Sequence, residues 1–128
     1  MIGYVAAALG GALGALARWG VTEALPSDPG AWPWATLLVN LSGCLALGLV
    51  LGLVLPRHPG SAWLRPFLAT GVLGGYTTYS AFAVETVQLG EAGRPGAALG
   101  YVLASVAGGV AASAAGLRAR RAAGEPAS

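Results

Sequence analysis

Residues 2–21, 34–55 and 97–117 form three runs of twenty or more residues in which Arg18 is the only charge. As helices rising about 1.5 Å per residue, such runs are long enough to cross about 30 Å of hydrocarbon. This constrains the fold more than anything else in the sequence. A chain in hydrocarbon has to satisfy its own backbone N–H and C=O groups, which leaves helices and closed barrels as the only spanning forms. A fourth apolar region occupies residues 63–89. The predicted fold class is therefore an all-α membrane protein: four transmembrane helices in one domain over residues 1–117, followed by a short polar tail over 118–128. Composition agrees, with 55% hydrophobic residues against 9% charged and a mean hydropathy of +0.67. The first run has no basic leader or clear cleavage site and is followed by further spans, so it reads as a retained helix rather than a signal peptide.

The connections "EALPSDPGAWP", "PRHPG" and "GEAGRPG" are rich in turn formers and too short to hold a domain. With four spans, Arg57, Arg65, Arg118, Arg120 and Arg121 share one side of the membrane, against Arg18 and Arg94 on the other. That bias places both termini in the cytoplasm. The tail arginines read as helix-end anchors among lipid headgroups, not as a nucleic-acid contact. The sequence points away from an enzyme: no nucleophile stands beside a base, His58 is alone between prolines and glycine, and no metal-ligand cluster occurs. Cys44 has no partner for a disulfide and reads as a small packing residue.

Small residues recur four apart in every span: Gly10 and Gly14; Gly48 and Gly52; Gly71 and Gly75; Gly100, Ala104 and Gly108. This spacing lets helix backbones approach closely where lipid supplies no hydrophobic drive. Polar residues also fall in stripes, Thr36–Asn40–Cys44 in the second span and Tyr101–Ser105–Ser113 in the last. Asn40 lies deep in its span, where an unpaired amide costs several kcal/mol, on the order of 4. Four small helices have little room for an enclosed polar path, so several stripes together predict an oligomer.

"GVLGGYTTYSAF", residues 71–82, lies within the fourth region. A continuous helix over residues 63–89 would be about 40 Å long, more than the hydrocarbon needs. Its midpoint is Tyr76. The adjacent Gly74 and Gly75 either interrupt the helix there or pack it closely against a neighbour, and the pattern leaves both open. Carbonyls freed by a break, near Gly74 and Thr77, suit a cation, because irregular backbone at that depth needs protein, water or an ion to satisfy it. Just beyond, Tyr79 and Phe82 share a helix face and Ser80 adds a hydroxyl. Ring edges carry partial positive charge. An amide, hydroxyls and ring edges, with Glu85 the only acid in a span, suit a small anion that accepts hydrogen bonds strongly.

These residues resemble the Fluc family of bacterial fluoride channels along about the first 115 positions. The resemblance rests on "GGALGALARW" at 10–19, "TLLVNLSGC" at 36–44 and "GVLGGYTTYSAF" at 71–82. It implies four-helix subunits with a broken third helix, paired antiparallel as a dual-topology homodimer with two pores that export fluoride passively. It also implies a structural sodium ion on the two-fold axis, bound by main-chain oxygens of Gly74 and Thr77. Along the fluoride path it places Asn40, the aromatic pair Tyr79 and Phe82, Ser80, Tyr101, Ser105 and Arg18, with Glu85 as the acid after the aromatic motif. Arg18 reads equally as a charge that attracts fluoride or as an anchor reaching the interface.

Two positions depart from the family pattern, Tyr79 where phenylalanine is common and Ala81 where threonine is common. The arginine imbalance also fits pairing with a second, oppositely oriented gene product. The rival expectation is a small multidrug or guanidinium exporter of four helices, which needs a carboxylate deep in its first span. Residues 2–21 contain none.

Overall fold

The computed structural model describes residues 1–123, all of whose regular elements are helical. Helix α1 is Ile2–Ala24 and α2 is Trp34–Leu49, continued by a π-helical segment Val50–Val54 and a 3-10 turn Leu55–Arg57. Helix α3 comprises the π-helical Pro66–Leu73 and one α turn, Gly74–Tyr76, while α4 is Ser80–Glu91 and α5 is Pro95–Ala122. Ile2–Ala24, Trp34–Arg57 and Pro95–Ala122 are each long and apolar enough to cross a membrane. The turn between α4 and α5 follows from its sequence. Gly93 takes φ +72, which allows Arg94 N–H to bond Leu89 O at 3.0 Å and Gly93 N–H to bond Gly90 O at 3.1 Å. These are the two closing bonds of a glycine-terminated helix. Pro95 then opens α5 at a position whose N–H no helical carbonyl would accept. Helix α5 continues past residue 117, so the first part of the expected tail is helical, and residues 124–128 of that tail lie outside the described residues.

Two close helix pairs make up the packing. Helix α1 lies along α3, where Gly10 and Gly14 meet the backbone of Phe67 and Val72, and Gly71 and Gly75 meet that of Ala7 and Gly11. Helix α2 lies along α5 through Gly48, Gly52 and Gly116. The expected stripe on α5 is corrected here. Gly100 and Gly108 touch only the side chains of Trp32 and Leu41, and Gly116 provides the backbone approach. A Cβ on Gly116 would stand 2.5 Å from Leu45 O and 2.7 Å from Leu49 N. Backbone atoms cannot turn aside, so Gly116→Ala is expected to destabilise the fold by about 1–3 kcal/mol. Gly20→Ala, with nothing within 4 Å, serves as the neutral control in thermal unfolding from detergent micelles. An unchanged midpoint for Gly116→Ala would mean that α2 and α5 do not meet there.

The buried cluster is small, comprising Leu37, Leu89 and Tyr101. Large apolar side chains point outward along α1 and α5 instead, among them Leu9, Leu13, Leu16, Leu99, Leu103 and Val110. In water such faces would aggregate, whereas acyl chains or another helical surface cover them without cost.

Candidate functional site

Helix α3 stops at Tyr76, Thr77 is extended at φ −77 and ψ 160, and the chain turns helical again at Ser80. Both openings left by the sequence are realised, at neighbouring positions. The glycine pair stays helical, with Gly75 close-packed on Gly11, and the interruption falls after it. The Asn40 side-chain amide holds the break open. Its Oδ1 accepts Thr78 N–H at 2.8 Å while its Nδ2 donates to Thr78 O at 2.9 Å. Thr78 Oγ1 accepts Ala81 N–H at 3.2 Å and caps α4. In an unbroken helix Thr78 N–H would go to Gly74 O and Ala81 N–H to Thr77 O. Both donors are diverted, so the two carbonyls singled out in the sequence lose their helical partners. Thr77 O instead accepts a hydrogen bond from Arg18 Nη1 at 3.4 Å.

Beside the break lies a cleft of about 440 Å³, whose lining includes Asn40, Thr77, Tyr79, Phe82 and Ser105. The Tyr79 and Phe82 ring centroids are 5.9 Å apart, and Phe82 is 5.4 Å from Tyr101. Tyr79 is 80% exposed in the single chain. Ser105 Oγ is buried with no hydrogen-bond partner among the described residues. A second groove, of about 590 Å³, shares Cys44 and Ser105 with the first and continues past Gly109 and Ser113. The first is lined from α2, α3, α4 and α5 and the second from α2 and α5, and both are mainly apolar with a few placed polar groups, the usual character of a small-ligand path.

Behind Phe82 sits a polar network. Glu85 accepts Tyr101 OH on Oε2 at 2.8 Å and Thr36 Oγ1 on Oε1 at 2.7 Å. Tyr101 has no exposed surface, so the hydroxyl expected on the polar track of α5 is committed to Glu85.

The profile described as "CrcB-like protein, Camphor Resistance (CrcB)" matches residues 5–117. The chain belongs to this CrcB-like family. It is 50% identical over 114 residues to a protein named fluoride-specific ion channel FluC of Paracoccus denitrificans, covering 89% of this chain and 90% of the relative. It is 45% identical over 116 residues to a protein of the same name in Bordetella petrii, covering 91% and 89%. With the protein named fluoride-specific ion channel FluC 1 of Mycolicibacterium paratuberculosis it shares 44% over 101 residues, covering 79% and 76%.

Of the residues singled out in this CrcB-like sequence, Asn40, Gly74, Thr77, Tyr79, Phe82 and Ser105 line one cleft. Ser80 does not. It is exposed, and its Oγ lies 3.2 Å from Thr78 Oγ1. Arg18 reaches inward to the break instead of outward to the end of α1. Thr78 went unrecognised, and Thr36, placed on a polar stripe by the sequence, was not identified as a partner of Glu85. Thr78 carries a signal in hindsight, since a threonine three residues before an N–H that needs an acceptor is a helix cap. The Thr36–Glu85 bond joins positions 49 apart and leaves no local pattern.

Proposed function

We propose that this CrcB-like chain is one subunit of a fluoride-selective channel that lets fluoride leave a prokaryotic cell passively across the plasma membrane. In this reading α3 and α4 together make a fourth span, and two subunits pair antiparallel around two pores. The observation that carries the reading is one cleft beside a broken helix that gathers an amide, a hydroxyl with no partner among the described residues and two aromatic rings, in a family whose relatives are named as fluoride channels. The family is one of ion channels, not enzymes. Fluoride holds its water tightly, so a path for it must offer replacement donors that hold the ion weakly enough for it to leave. A primary amide has two N–H donors and Thr78 takes one, so the other is available to an anion from Asn40. Ser105 Oγ–H and the ring edges of Tyr79 and Phe82 continue the series. Tyr101 acts from behind, through its packing on Phe82.

A ring as exposed as Tyr79 needs a cover, which the second subunit provides. The donor set at the break fits a sodium ion, because Gly74 O and Thr77 O are hard oxygens released from their helical donors. Bound there, sodium would neutralise carbonyl dipoles and tie the two subunits together. The second subunit is a copy of this chain or a related chain of opposite orientation. Five arginines at the end where α2 and α5 finish, against Arg18 and Arg94 at the other, fit a related chain as well as a copy. Liposomes holding the purified protein are expected to release fluoride electrogenically and to retain chloride. If inserted protein releases neither ion, the channel reading fails.

A further inference from the structure

Arg18 donates to an oxygen that the reading above gives to sodium. We propose that Arg18 is a tethered cation that competes with sodium for the Thr77 carbonyl, so that a subunit keeps its break satisfied without metal and binds sodium weakly once paired. This rests on the sodium site of the proposed channel and goes further by assigning a residue that regulates it.

The placement is a product of the α1–α3 packing. Gly14 lies against Val72 O, with Tyr76 N 2.8 Å from where its Cβ would be. One turn later along α1, Arg18 arrives beside Thr77, 59 residues away in sequence. The Gly14 contact sets the register of α1 one turn before Arg18, and from there the guanidinium reaches Thr77 O at 3.4 Å. A guanidinium is a cation. A carbonyl oxygen has two lone pairs, so it accepts a guanidinium N–H and a metal ion together only if two positive charges share one atom. With little water to screen them, the two repel. Where the partner is a copy of this chain, an antiparallel pair would bring two Arg18 residues towards the same ion. Linkage is reciprocal, so whatever Arg18 costs sodium, sodium costs the Arg18 contact.

The test is a sodium titration of thermal stability in fluoride-free detergent micelles, with N-methylglucamine chloride keeping ionic strength constant. The half-saturating sodium concentration is expected to fall about tenfold or more in Arg18→Gln and to stay near that of the unmodified protein in Arg18→Lys. Equal half-saturation in Arg18→Gln and the unmodified protein overturns the role of Arg18 and leaves the sodium site standing. Absence of any sodium response in all three overturns the sodium site and this inference with it. Should Arg18→Gln fail to fold, unmodified protein labelled with 15N-arginine answers the same question, the Arg18 resonance being assigned by its loss in Arg18→Lys. Sodium is expected to shift the Arg18 guanidinium resonance along the same saturation curve, and a resonance that stays fixed through saturation overturns the proposal.

Discussion

Asn40→Asp is expected to cut fluoride flux from proteoliposomes about a hundredfold or more, since it removes a donor and adds a charge at one position. Two effects act in the same direction. The amide clamps Thr78 from both sides, at 2.8 Å and 2.9 Å. A carboxylate still accepts from Thr78 N–H but meets Thr78 O with a second oxygen, so the clamp opens on the side that fixes the break. The same carboxylate faces the cleft shared with Phe82 and Ser105. A negative charge about 4 Å from an anion costs about 4 kcal/mol at an effective dielectric of 20, enough by itself for the predicted loss. Asn40→Leu separates the two effects, because it breaks the clamp without adding charge. It should lower the thermal midpoint while leaving more residual flux than Asn40→Asp. Full flux in correctly inserted Asn40→Asp would take Asn40 off the path and leave it a purely structural clamp.

What the sequence disclosed and what it hid follow from range. The spans were legible because hydrocarbon forces each backbone group to pair within its own helix. Residues 2–21, 34–55 and 97–117 therefore lie inside α1, the extended α2 and α5. The break was legible as a surplus of length and a glycine pair. It was displaced to Thr77 because its cause is Asn40, 38 residues away from Thr78, and no local propensity encodes that. Small-residue spacing revealed that helices approach but not which face does so, and Gly116 made contact where Gly100 and Gly108 were expected. The π-helical stretches Val50–Val54 and Pro66–Leu73 left no mark in a pattern whose apolar residues fill every face.

Glu85→Ala is expected to destabilise the subunit by about 3 kcal/mol, because it strands the buried donors of Tyr101 and Thr36 together. Hydrogen bonds between neutral side chains of membrane helices contribute only about 0.6 kcal/mol on average, since a partly unfolded chain in lipid finds other partners. Glu85 differs in kind. It accepts from two helices at once, α2 through Thr36 at 2.7 Å and α5 through Tyr101 at 2.8 Å. Tyr101 is wholly enclosed, so water cannot replace the lost acceptor. Adding Tyr101→Phe to Glu85→Ala should therefore cost less than Tyr101→Phe costs alone, with a coupling of about 1–2 kcal/mol in a double-mutant cycle read by unfolding from micelles. Additive losses would show that the carboxylate and the phenol do not depend on each other. The same cycle bears on conduction through a ring that touches neither hydrogen bond. Phe82 packs on Tyr101 at 5.4 Å and faces the cleft, so a loosened Tyr101 lets the Phe82 edge turn. Fluoride flux should then fall with Glu85→Ala even under conditions where the variant stays folded.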